Sequence, residues 1–507
     1  MTAPEAEVVV VGGGPVGLSL AGLLGQFGVR TLLLERHAST STHPRGFGIH
    51  PRTMEVFRRL GVADAIRAAG LPPQEAAGFG FVTQLAGEER ARLMLAPMPD
   101  QLGPEQGCFC PQGSYEAVLR EHVAALPCVD VLFNAEVTGL QDGRLEVDGA
   151  PGPRARWVVA ADGMHSPVRA MLGVTETTTG AFGHSVSLHV RADLQRFRDG
   201  RPFALTWTVD PGAEGTFSIA SADAKKWTFT FAGDPDHDYT EAELIARVRA
   251  AVGDHDLDVE LLEVLRWDYE HAVTDSWRAG RFLFCGDAAH RFPPHGGFGM
   301  NSGVQDAENL AWKLAAVLRW GASDRLLDSY QAERRPVAVR NGQQAVRNTE
   351  RLVGARWDPD HAAASLADQH EHFLSLGQQM GVTYSSTAVV DDGSPATPST
   401  VTDYVESGRP GGRAPYVRFE EAGRQTSTVD ASADAFVLVT GTAAPSLPEG
   451  IPVTVLQVGA ADRPWHEVYG VPEAGAVLIR PDGHVAARFR DGPSGVADAL
   501  RSVLGLG

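Results

Sequence analysis

The chain holds 507 residues, 43% hydrophobic and 21% charged, the balance of a globular enzyme of about three domains rather than of a disordered or fibrous chain. With 63 Asp and Glu against 44 Lys and Arg, its formal charge of -19 excludes a nucleic-acid backbone or an anionic membrane surface as partner, because both are held through clustered cations. Cys108, Cys110, Cys128 and Cys285 make no Cys-x-x-Cys pair and no metal-ligand spacing, so reduced thiols and no bound metal are expected.

Acidic Glu5 and Glu7 precede the first apolar run and no apolar stretch approaches bilayer length, so the expectation is a cytoplasmic protein. Val8 to Val11 reads as a parallel strand buried on both faces. The turn Gly12-Gly13-Gly14-Pro15-Val16-Gly17 follows, then a helix from Val16 to Phe27 closed by Gly28, then a second strand, Thr31 to Leu34, ending at Glu35 and Arg36. This is a βαβ unit with an acid about twenty residues past the glycine turn. Further on, the apolar strand Trp157 to Ala161 runs into Asp162-Gly163-x-x-Ser166-x-x-Arg169. Between Phe203 and Phe231, β-forming residues alternate or cluster between turn signals such as Asp210-Pro211-Gly212, which predicts an antiparallel sheet.

Phe282 to Cys285 is a strand ending at Gly286-Asp287. Leu310, Leu314, Val317 and Leu318 predict a helix over Gly303 to Leu318 with its N-terminus against Asn301, and a second helix from Leu326 to Arg335 stopped by Pro336. Beyond Ser385 the composition loosens into a linker. The strand-like runs Ala435 to Val439, Val453 to Val458 and Ala476 to Ile479 then form a small α/β domain.

The glycines at 12, 14 and 17 permit a tight turn, close approach of backbone N–H groups to a pyrophosphate, and close helix packing. Pro15 and Val16 open the helix at the same point, and Glu35 can accept hydrogen bonds from an adenosine ribose. That pattern does not separate FAD from NAD. Asp162 and Asp287, each at a strand end facing a crevice, do so, and Asp287 suits a ribityl hydroxyl.

With these residues in place, the chain resembles the group A flavoprotein aromatic hydroxylases of the para-hydroxybenzoate hydroxylase type. They carry the same three elements in the same order, and the stretch Gly286 to Asn301, with Pro293-Pro294, Gly296 and Gly299, is specific to them. The tail, with Gly411-Gly412-Arg413-Ala414-Pro415 and Arg480-Pro481-Asp482-Gly483, is similar to the larger phenol and polyketide hydroxylases that append a thioredoxin-like domain. With no cysteine after Cys285, dithiol chemistry in that tail is excluded, and a packing or subunit contact is expected.

The resemblance implies an α/β fold: a Rossmann-like FAD-binding domain over 1–175 and 270–395, an inserted antiparallel-sheet substrate domain over 176–269 with part of 71–105, and a thioredoxin-like domain over 396–507. It implies FAD as cofactor and NADPH or NADH as transient reductant, with O2 and a small phenolic or polycyclic, polyketide-like aromatic as substrates, in antibiotic biosynthesis or in degradation. It further implies Arg45 over the cofactor, Gln112 in a Gln-x-x-x-Glu-x-x-Leu pattern, Val137 meeting the adenine, and Gly297, Gly299, Met300 and Asn301 at a helix end that steadies the reduced ring. Oxygen transfer through a flavin C4a-hydroperoxide would need the dry wall of Pro293-Pro294. The flavin-edge candidates are therefore Pro294, His295 and Asn301. No phenol-activating base is assigned, although His50, His184 and His271 are available. His295 and Phe298 replace residues that are small or polar in the family, which suits a bulky apolar substrate, with Phe298 read as packing. Baeyer–Villiger insertion, epoxidation and a non-catalytic flavin-binding module stay open as alternatives. A halogenase is less favoured, since Trp-x-Trp-x-Ile-Pro is absent. A monomer or homodimer is expected.

Overall fold

The computed structural model describes residues 6–40, 46–198, 200–221, 223–421, 424–432, 434–458 and 460–506. A six-stranded sheet forms its base, in the order Arg278–Ala279, Phe282–Phe284, Trp157–Ala160, Val8–Val11, Thr31–Leu34, Val129–Leu132. Every pair is parallel except the first. The four middle strands are buried at every residue, which is why each appears in the sequence as an unbroken apolar run. The order has a functional consequence. The carboxyl ends of Val8–Val11, Trp157–Ala160 and Phe282–Phe284 lie side by side, so Gly12, Asp162 and Gly286-Asp287 meet at one crevice despite their distance in sequence.

An eight-stranded sheet stands beside it, in the order His290–Arg291, Glu260–Thr274, Glu176–Arg191, Lys226–Ala232, Gly215–Ile219, Phe203–Thr208, Gly78–Val82, Glu89–Met94. It is antiparallel apart from the pairing of Phe203–Thr208 with Gly78–Val82. The chain from 71 to 105 thus supplies two strands to a sheet formed mainly from 176–274. Its buried face, with Phe79, Phe81, Phe217 and Phe229, forms a core separate from that of the base sheet.

The tail carries a four-stranded sheet, Val453–Gln457, Phe436–Thr440, Ala476–Ile479, Val485–Phe489, parallel in its first pair and antiparallel in the other two. This is the mixed arrangement of a thioredoxin-like domain. The Val496–Val503 helix, which buries Val496, Ala499, Leu500 and Val503, covers it.

Two helices differ from expectation. The helix expected at Gly303 begins at Phe298 and runs to Arg319, so Gly299, Met300 and Asn301 form its first turn rather than precede it. Gly297, left-handed at φ +67°, is its N-cap, and Gly299 has open space where a Cβ would stand, so glycine there marks clearance rather than a loop. The second helix spans Asp328–Gly354 and passes through Pro336. Pro336 and Ala332, whose carbonyl loses its helical donor, are both exposed, so water can satisfy the freed oxygen. Burial of Val337, Ala338, Gln344 and Ala345 holds the following turns in place.

Candidate functional site

The glycines of the first turn divide into two kinds. A Cβ on Gly12 would overlap the carbonyl of Ala161, and one on Gly17 would overlap the carbonyl of Gly12, so these two let strand and helix close up. Gly14 meets nothing within 4 Å and caps the Pro15–Gln26 helix without a side-chain hydrogen bond, leaving an open face lined by first-turn N–H groups. An elongated anionic group fits over that face.

Glu35 is already engaged. Its Oε2 accepts from Gly13 N at 2.6 Å and its Oε1 from His37 N at 2.8 Å. A carboxylate has about four acceptor positions, so a ribose remains compatible. Arg36 beside it is exposed. Ala135 N donates to Glu35 O at 2.9 Å, which brings the start of the strand at Val137 alongside the same edge. Arg45 lies outside the described residues.

At the crevice mouth, Asp287 is the exposed residue in the otherwise buried run 282–290. Gln112 opens the Gln112–Ala124 helix and donates to Glu116 at 2.5 Å. A Cβ on Gly46 would lie 3.2 Å from Tyr115 OH, 3.5 Å from Gln112 Oε1 and 3.9 Å from Met300 Cβ, so these three groups line one edge. Asp162 faces its own loop: Oδ2 accepts from Val168 N at 3.1 Å, and Oδ1 is buried without a protein partner among the described residues. Burial pushes its carboxyl above the ordinary range.

The third segment is fixed from beneath. Gly286 and Gly303 both press on Val16, locking the two helix starts together. Asp306 accepts from Gly286 N at 3.3 Å and pairs with His290 at 2.7 Å and Arg334 at 2.6 Å. Burial alone would raise the Asp306 carboxyl, but Arg334 and His290 hold it below its usual value. Asn301 is a clamp. Its amide donates to Gly48 O at 2.9 Å and Gly297 O at 2.7 Å while its oxygen accepts from His50 N at 2.9 Å, which ties the loop at 46–50 to the helix start. The backbone N–H groups of the first turn, not the Asn301 side chain, are left to face the crevice. Phe298 is 2% exposed and meets the His50 ring edge-on at 5.8 Å, a packing residue as expected.

Of the three histidines available from the sequence, His50 reaches this edge, donating from Nε2 to Gly296 O at 3.1 Å. His184 pairs with Asp268 at 2.7 Å, and His271 contacts Thr179 at 2.9 Å. Beyond Pro294 the wall is aromatic. His295 meets Tyr269 and His372 edge-on at 5.8 and 5.7 Å, His372 stacks on Phe373 at 4.1 Å, and Phe373 lies 4.6 Å from Phe79. Trp207 and Trp357 extend the wall through Phe81. Sequence reading misses His372, Phe373 and Trp357, since they lie in short segments without periodicity that only the fold brings to the sheet.

The Arg480-Pro481-Asp482-Gly483 turn reaches back into the base domain. Arg480 grips Glu333 through Nη1 at 2.6 Å and Nη2 at 2.9 Å and binds Asp482 through Nε at 3.0 Å. Asn309 joins Glu333 and Asp482 at 2.7 and 3.1 Å, and Lys313 reaches Glu333 at 2.8 Å. The tail therefore makes a packing contact within the chain. His484, next to it, is pushed down to about 3 by burial, and burial takes His50 and His295 down to about 4. Since these folded values lie below the unfolded value of about 6.5, the unfolded state takes up more protons, and stability falls as pH drops from about 6.5 towards 4. Each neutral histidine costs up to about 2 kcal/mol at pH 5. The urea midpoint is expected to be clearly lower at pH 5 than at pH 7, and equal midpoints would contradict the neutral-histidine account.

The comparisons agree with this geometry. Residues 5–347 match the family profile described as FAD binding domain, and residues 407–506 match the aromatic-ring hydroxylase C-terminal profile. The tetracenomycin B2 monooxygenase-dioxygenase of Streptomyces olivaceus is 36% identical, the alignment covering 98% of both chains. A structure described as the flavin-dependent monooxygenase PieE in complex with FAD and substrate superposes with TM-score 0.91 at 29% identity over the whole of both chains. A ternary complex of aklavinone-11 hydroxylase with FAD and aklavinone superposes at 0.84 with 28% identity, again over both whole chains. The chain belongs to the FAD-dependent aromatic-ring hydroxylases, as a flavoprotein monooxygenase with the family's C-terminal domain.

Proposed function

We propose that the crevice holds FAD with its pyrophosphate over Gly12, Gly14, Pro15, Val16 and Gly17 and its adenosine beside Glu35, Arg36 and Val137. On this reading Gln112, Gly286 and Asp287 hold the ribityl chain, and Asp162 shapes the loop between. The ring lies against Pro294 and the first turn of the Phe298–Arg319 helix, at Gly297, Gly299, Met300 and Asn301. Bound there, FAD would supply the oxygen-transfer chemistry, with NADPH or NADH as reductant and O2 as oxidant, for a phenolic or polycyclic aromatic ring. The chain's own part is to position and to exclude water. The N-terminus of the Phe298–Arg319 helix would bring partial positive charge to a bound flavin ring. Pro293-Pro294 and the aromatic wall keep the reacting edge dry.

The observation that carries this reading is the meeting of three strand ends at a crevice with an open glycine face at Gly14, a second at Gly299, and an aromatic wall past Pro294. The tetracenomycin B2 monooxygenase-dioxygenase and the aklavinone-11 hydroxylase named above support a polycyclic substrate. We further infer the division into an FAD domain over 1–175 and 270–395, a substrate sheet over 176–269 with part of 71–105, and a tail domain over 396–507. Its acidic composition and NAD(P)H requirement suit a cytoplasmic enzyme, monomeric or homodimeric. Asp287→Ala should leave the fold unchanged and lower FAD affinity about tenfold or more, the cost of roughly 1.4 kcal/mol for one lost hydrogen-bonding carboxylate. Flavin absorbance of the purified variant tests it, and full FAD occupancy with normal turnover would sink the assignment.

A further inference from the structure

His295 follows the wall proline directly, and both its backbone and its ring are pinned to one helix. Its carbonyl accepts from Asn348 Nδ2 at 3.1 Å, and its Nδ1 lies 2.8 Å from Thr349 Oγ1. Thr349 has one hydroxyl proton, and that proton goes to Ala345 O at 2.8 Å. The contact with His295 can then be made only if Nδ1 carries the hydrogen and donates it, and this fixes the tautomer. Nε2, on the other side of the ring, is left with a lone pair. The hydrogen bonds of His295 among the described residues are those of its Nδ1 and its carbonyl, and none reaches Nε2.

The surroundings give that lone pair no protein donor. Tyr269 and His372 present ring edges at 5.8 and 5.7 Å, and the wall continues through Phe373 and Phe79. Burial holds the imidazole at about 4, so it stays neutral, and an acceptor, at pH 7. His295 is partly exposed, so water can reach Nε2; once a flat ligand excludes that water, an acceptor beside aromatic rings and left unpaired costs about 1–3 kcal/mol. A carbonyl, an ether or a phenolate on that ligand cannot relieve the cost, because none of them can donate. A hydroxyl in the plane of the aromatic ring can.

We propose that His295 Nε2 accepts a hydrogen bond from a free hydroxyl on the substrate ring, so that the enzyme selects an un-ionised phenol over its ether or ketone. The inference rests on the hydroxylase reading above and adds to it the group recognised and the residue that recognises it. Thr349 is a positioning residue: it acts through His295 by keeping the proton on Nδ1.

The test uses FAD-loaded enzyme, with naphthols and hydroxyanthraquinones and their O-methyl ethers as probes of stimulated NAD(P)H oxidation. Wild type is expected to show a KM about tenfold lower for the phenol than for its ether. His295→Leu, which keeps bulk and removes the acceptor, should raise the phenol KM to that of the ether with FAD content unchanged. His295→Gln, which can place its amide oxygen near the Nε2 position, should restore part of the difference. Thr349→Val, which leaves the imidazole in place, should lose part of it. An unchanged phenol-to-ether ratio in FAD-loaded His295→Leu overturns the proposal. If no probe stimulates wild-type FAD-loaded enzyme, the hydroxylase reading itself fails and takes the proposal with it.

Discussion

Arg480→Met should lower the free energy of unfolding by about 3–5 kcal/mol, although residue 480 is far in sequence from any cofactor contact. The Arg480 side chain is fully buried and lies over Trp312 and Tyr384, 5.1 and 5.3 Å from their ring centres. It supplies two of the hydrogen bonds to Glu333 and neutralises Asp482. Burial would raise the Glu333 carboxyl, and Arg480 with Lys313 keeps it well below its ordinary range. Without Arg480, the two carboxylates are left with one lysine, one amide and the Ser386 hydroxyl in a space closed to water. Urea unfolding followed by tryptophan fluorescence reads the loss, and adding Glu333→Gln to the variant should recover part of it. A change under about 1 kcal/mol would mean that the turn rests on the base domain without locking it. The same loss should reach the cofactor, because Asn309 and Lys313, which share Glu333 with Arg480, lie on the helix whose first turn is proposed above to hold the flavin ring.

Gly17→Ala should give a protein with less than about a tenth of wild-type FAD and reduced stability, since the added methyl overlaps the carbonyl of Gly12 and drives strand and helix apart. Gly14→Ala is the companion. Gly14 has extended backbone, φ -76° and ψ -175°, and nothing within 4 Å of a Cβ, so the fold should be unaffected and only FAD affinity should fall. Flavin absorbance and urea midpoints, measured on both variants, separate the packing glycine from the ligand-facing one. Gly14→Ala with full FAD would contradict the placing of the pyrophosphate.

Strands of the base sheet and of the tail sheet were legible because burial on both faces selects for nearly unbroken apolar runs, so Val8–Val11 and Thr31–Leu34 in the first and Ala476–Ile479 in the second have the bounds their composition suggests. The two helices were misjudged where local rules gave way to tertiary packing. Gly296, Gly297 and Gly299 look like one loop, yet the last belongs to the helix, and Pro336 looks like a stop, yet it faces water on a helix held by its buried side. At the site, motif residues such as Gly12 and Asp287 were visible because each occupies a strand end. Asn301 was visible as a residue but not as a clamp, because its partners Gly48 and His50 lie some 250 positions away. The aromatic wall left no trace in sequence, since Phe79, Trp207, Trp357 and Phe373 come from four separate segments.

The most direct measurement is the source of the oxygen. FAD-loaded enzyme is given NADPH or NADH, a polycyclic phenol that stimulates their oxidation, and 18O2, and the product is weighed. The account predicts a product carrying one 18O atom per reduced nicotinamide consumed, formed only when the phenol is present. NAD(P)H oxidation that proceeds equally without the phenol, returning all its oxygen as hydrogen peroxide and leaving the ring unlabelled, would contradict it.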